Sequence, residues 1–101
     1  MPLDFYDISD IQLRQKLFEI SHADFEALNE ALTKLKEVSS IAIDPYGTTR
    51  IYPNNVKLII SLIRDQLSNA KIDIQAPKRK ALNLVLGYLE TVSDGLLIIG
   101  D

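Results

Sequence analysis

From Ile8 onward, apolar positions fall mostly at helical spacing. Ser9 followed by Gln12 gives a capping-box pattern, with Ile8 and Leu13 placed to staple the turn. Leu13, Leu17 and Ile20 then share one face, widened by Phe18, which predicts a first helix. Ser21 and Asp24 repeat the cap at once, with Ile20 and Phe25 as a second staple. Phe25, Leu28, Leu32 and Leu35 follow at spacings of three, four and three, flanked by Ala27 and Ala31. That pattern predicts an amphipathic helix of about four turns. Two helices so closely joined predict an αα-hairpin with almost no loop.

The period changes at Ile41. In Asp44-Pro45-Tyr46-Gly47, Asp stands first, Pro second and Gly fourth, the preferences of a type I turn. A three-residue loop with Gly47 left-handed sets Ile43 opposite Thr49 and Ile41 opposite Ile51. This gathers the apolar side chains on one face, so a 41–52 β-hairpin in that register is predicted. A lone hairpin is marginal in water and needs a helix beneath it or further strands beside it.

Helical spacing returns after Pro53. Asn54 or Asn55 can cap a helix whose face carries Val56, Ile59, Ile60, Ile63 and Leu67, broadened by Leu58 and Leu62. It should be the most buried helix. Alternation of Ile72 and Ile74 within 71–75 suggests a short strand. Pro77 suits the first turn of a last helix burying Ala81, Leu82, Val85, Leu86 and Leu89, with Gly95 expected as its left-handed cap. The closing Leu96-Leu97-Ile98-Ile99 reads as a buried strand, with the alternatives of a partner-binding strand or the entry to another domain.

These elements give an α+β fold with about four helices, the αα-hairpin first, and a small, mainly antiparallel sheet around the 41–52 hairpin. The 101 residues make one domain, 1–101, with 47% hydrophobic and 25% charged residues, an ordinary globular balance. The absence of cysteine excludes disulfide scaffolds, cysteine-ligated zinc, iron–sulfur clusters and thiol nucleophiles. No secretory signal is visible, and apolar runs of four residues are too short to span a bilayer. A soluble, cytoplasmic protein is expected.

Charge alters the picture more than composition does. The net charge of −3 hides 4 basic and 9 acidic groups in residues 1–49, then 7 basic and 2 acidic in 50–80. Such polarity suits a charged partner or head-to-tail self-association. Candidate chemistry is sparse. His22 alone cannot build a zinc site and reads as an ordinary helix-start histidine. Asp4, Asp7 and Asp10 lack the glycine and distal glutamate of a calcium loop. The four glycines form no phosphate cradle. No cofactor, metal or catalytic residue is therefore assigned.

What remains points to binding. Asp24, Glu26 and Glu30 can steer a basic protein partner, and Tyr46 at a turn tip can anchor it. The expected function is a non-catalytic protein-binding module, in one concrete form a small acidic inhibitor or regulator of the immunity or antitoxin type. Self-association, most simply as a homodimer, is expected if the hairpin and the LLII strand expose sheet edges. The first alternative is a nucleic-acid-associated regulator using the basic 50–80 segment, with Arg50, Lys78, Arg79 and Lys80 as an anion-binding set. Nucleic acid is the less favoured partner because the chain is acidic overall. The second alternative is an enzyme whose site leaves no sequence signature.

Overall fold

The structure is a computed structural model, which describes residues 3–68, 76–92 and 94–100. Its elements are β1 (Leu3–Asp7), β2 (Lys16–Ile20), α1 (His22–Ala27), α2 (Asn29–Ser39), β3 (Thr48–Ile51), α3 (Pro53–Ser68), α4 (Ala76–Glu90) and β4 (Leu96–Ile99). The strands form one antiparallel sheet in the order β2-β1-β4-β3. The α+β class and the four helices match expectation; several elements do not.

The helix expected from Ser9 is instead a β-hairpin, so there is no initial αα-hairpin. A period of two governs here. Leu3 and Phe5 point inward opposite Ile20 and Phe18, while Asp4 and Glu19 lie on the other face. The Phe5 and Phe18 rings stack at 4.6 Å, and Tyr88 of α4 stacks on Phe18 at 4.7 Å. Lys16 bridges Asp4 (3.5 Å) and Glu19 (3.6 Å), and Asp4 first, then Glu19, raises the pKa of its ammonium. Ser9 caps no helix. Its N–H and hydroxyl both donate to the Asp7 carboxylate, while Arg14 N and Gln15 N donate to Asp10. Two aspartates thus satisfy the backbone of the connection.

Ser21 caps as predicted, its hydroxyl accepting from Asp24 N at 3.2 Å. The long helix is broken at Leu28, whose N–H turns back to Phe25 O (3.0 Å), so α1 and α2 are separate. The 41–52 hairpin is also corrected. Residues 41–44 join no ladder, and β3 pairs with β4, setting Thr49 against Ile98 and Ile51 against Leu96. Gly47 is not left-handed, although the turn itself forms, with Gly47 N donating to Asp44 O and Tyr46 N to Asp44 Oδ1. β4 gives β3 its ladder, and across the turn Asp44 N meets the Thr49 hydroxyl rather than a backbone carbonyl. Ile41 and Ile43 still pack against the core.

The α3 helix is the centre of that core, with Val56, Ile59 and Ile63 buried and Ile63 fully so. α4 adds Ala81, Leu82, Val85 and Leu89. The LLII segment is a strand, but an internal one between β1 and β3, so it is no exposed edge. The edges among the described strands are β2 and β3. Gly95 has φ +100 yet lies beyond the end of α4, at the entry to β4. A Cβ there would fall 2.6 Å from Ile51 O, so close strand approach explains the glycine better than helix capping. The strand expected at 71–75 lies outside the described residues.

Helices and the inner sheet face share one apolar cluster. Leu97 is buried outside it, on the opposite face, between Tyr6 and Arg50 in register. No helix among the described residues is long and apolar enough to cross a membrane.

Candidate functional site

An apolar-floored groove lies between α1, α2 and the 42–46 segment. β2 ends at Ile20, Ser21 caps, and α1 starts immediately, which places His22 and Glu26 one turn apart. His22 Nε2 lies 2.9 Å from Glu26 Oε1. Both side chains are well exposed, so the pair contributes little to stability and acts mainly to hold two polar groups along the lip. Phe25 and Leu32, half-buried and packed on the core, form the floor with Ile43. Asn29, Thr33 and Lys36 continue the lining along α2.

The other wall is the 42–46 segment, which lies outside the sheet. Its turn is pinned from outside. Gly100 N donates to Gly47 O at 2.8 Å, and the Gly100 backbone approaches so closely that a Cβ would lie 2.2 Å from Pro45 O. On this fixed turn Tyr46 stands 75% exposed. The groove encloses 560 Å³, and an adjoining 250 Å³ recess between Leu3, His22, Phe25, Pro45 and Tyr46 shares its walls. An apolar floor, a protruding tyrosine and a polar lip suit a partner's side chains.

The expected partner-binding residues divide. Glu26 and Tyr46 meet at the groove. Asp24 belongs to the Ser21 cap, and Glu30 faces another cavity, where it holds Lys78 at 3.3 Å. His22, read from sequence as an ordinary helix-start residue, lies in the groove wall; its spacing of four from Glu26 was the available signal.

The anion-binding alternative is not assembled. Arg50 lies on the sheet face away from the helices, Lys78 is paired with Glu30, and Arg79 and Lys80 are exposed in the first turn of α4. Arg64 is likewise paired, with Glu90 at 2.6 Å. Among the described residues no group of three or more His, Cys, Asp or Glu side chains is placed to hold a metal ion.

At the opposite end of the β1–β2 hairpin lies a second notable surface. Its loop carries Ile11, 71% exposed, and Leu13, also exposed, with Leu17 of β2 exposed beside it in sequence. Leu13 has φ +55, a left-handed conformation unusual for a branched side chain. The backbone bonds from Gln15 and Arg14 hold the Asp10 carboxyl below its ordinary pKa. No known protein family, no curated protein and no solved structure matches the chain.

Proposed function

We propose that this chain is a non-catalytic protein-binding module, a small regulator or inhibitor that takes an apolar segment bearing a basic residue from a partner protein. The supporting observation is Tyr46, exposed over an apolar floor on a turn tied to the end of β4. A tyrosine so placed adds nothing to the core and presents a rigid amphipathic surface at low entropic cost. Glu26 at the lip supplies the charge that would select and steer a basic residue.

The test is site-specific photo-crosslinking from position 46, with position 50 on the far sheet face as control. The captured protein is then purified and its affinity measured by calorimetry. Tyr46→Ala is expected to weaken it about tenfold or more, the loss of roughly 1.4 kcal/mol or greater typical of an anchor residue. Equal capture from position 50, or an affinity unchanged by Tyr46→Ala, refutes the proposal.

A further inference from the structure

Building on the groove reading, we infer that one occupant of the groove is the β1–β2 loop of a second copy of this chain, so that copies associate head to tail. The loop has the chemistry the groove calls for. Ile11 and Leu13 project into solvent, and Arg14 beside them is exposed and forms no ion pair among the described residues. Facing them in the groove would be the floor of Phe25, Leu32 and Ile43, with Glu26 at the lip for Arg14.

Shape and order agree with charge. A cavity of about 150 Å³ accepts a benzene-sized group, so the 560 Å³ groove has room for both side chains. The loop is held before contact by the Asp7 and Asp10 carboxylates, which lowers the entropy lost on docking. It cannot reach its own groove. Leu3, at the start of β1, lines the recess, whereas the loop begins past Asp7, about 13 Å of strand away. Two different surfaces at opposite ends make a heterologous contact, which propagates unless it closes into a ring. A loop tip in a groove buries less than the roughly 800 Å² per partner of a stable interface, so weak association that grows with concentration is expected.

Sedimentation velocity up to about 1 mM tests this, with two double variants. Ile11→Ser with Leu13→Asn removes the knob, and asparagine tolerates the left-handed backbone at position 13. Tyr46→Ala with Glu26→Lys spoils the groove. The wild-type mass should rise with concentration, each variant should stay monomeric, and their equimolar mixture should form dimers and nothing larger. Nitrogen-15 NMR of the wild type on dilution should shift signals near residues 10–14 and 22–46, a readout that does not depend on either variant folding. A monomeric wild type at all concentrations, association unchanged in both variants, or dilution shifts elsewhere overturns the inference. Should the wild type stay monomeric while position 46 still captures a partner whose affinity depends on Tyr46, self-docking alone fails. Should Tyr46→Ala also leave that affinity unchanged, the groove reading fails with it.

Discussion

Gln66 occupies a place where the α3 stripe would carry an apolar residue. Val56, Ile59, Ile63 and Gln66 follow one another at spacings of three, four and three on the buried face of α3. Gln66 is only 6% exposed, and neither Nε2 nor Oε1 has a hydrogen-bond partner among the described residues. A buried amide group left unpaired costs about 1–3 kcal/mol relative to water. Methionine has nearly the same length and an unbranched, adaptable chain, so Gln66→Met removes that cost without leaving a cavity. The variant should be more stable by about 1–3 kcal/mol. At about 4–8 °C per kcal/mol for a domain near this size, the gain should be plain in a thermal melt. Urea unfolding followed by circular dichroism gives the free energy directly, and an unchanged slope shows that the change lies in stability. Gln66→Glu should destabilise strongly at neutral pH, because it buries a charge at the same place. A Gln66→Met variant less stable than wild type by about 1 kcal/mol or more would show that the amide has a partner and would refute the reasoning.

The remaining predictions concern the core, the β4 entry and the hairpin loop. Ile63→Ala empties a fully buried site and should cost about 2–5 kcal/mol in urea unfolding. Gly95→Ala meets both the positive φ and Ile51 O at 2.6 Å, so it should cost at least about 1–2 kcal/mol. For Asp10, the folded-state pKa is depressed below its ordinary value of 3.8 by the Gln15 and Arg14 backbone bonds. Its contribution is therefore fully present above that ordinary value and is lost as pH falls through the lower folded one. Wild type should exceed Asp10→Ala in stability at neutral pH, and the gap should close on acidification below 3.8; a gap independent of pH would contradict the carboxylate's role.

The long apolar stripe of α3 and the closing strand were legible because each has an unambiguous length or run. The stretch from Ile8 to Ile20 was not, because it satisfies two periods. Leu13, Leu17 and Ile20 fit a helix, while Phe18 and Ile20, alternating with Leu17 and Glu19, fit a strand. The deciding partners, Leu3 and Phe5, are distant in sequence, and no Asn-Gly turn announced the hairpin. Asp7 and Asp10 do that work through side-chain bonds, while Ser9 and Gln12 in the same loop mimic a capping box. On α3, Leu67 was expected in the stripe, yet the helix turns Gln66 inward and leaves Leu67 half-buried.

The site was half legible for a related reason. Tyr46 followed from local turn chemistry, which survives whatever the turn packs against. Sorting Asp24, Glu26 and Glu30 requires knowing which helix face is inside, and the break at Leu28 resets that face between α1 and α2. With Leu28, Ala31 and Leu35 buried, Glu26 falls on the groove side and Glu30 beyond it, toward Lys78. The groove itself depends on the ladder that did not form. Had 41–44 paired with 48–51, β3 would have had a strand on its outer edge, and Ile43 would have been committed to the sheet. With 41–44 unpaired, 42–46 stands against α1 and α2, its turn held by the bond from Asp44 N to the Thr49 hydroxyl and by the bond from Gly100 N to Gly47 O. The turn of the groove wall is therefore tied to the residue that follows β4, a dependence that no local reading of Ile41 to Pro53 contains.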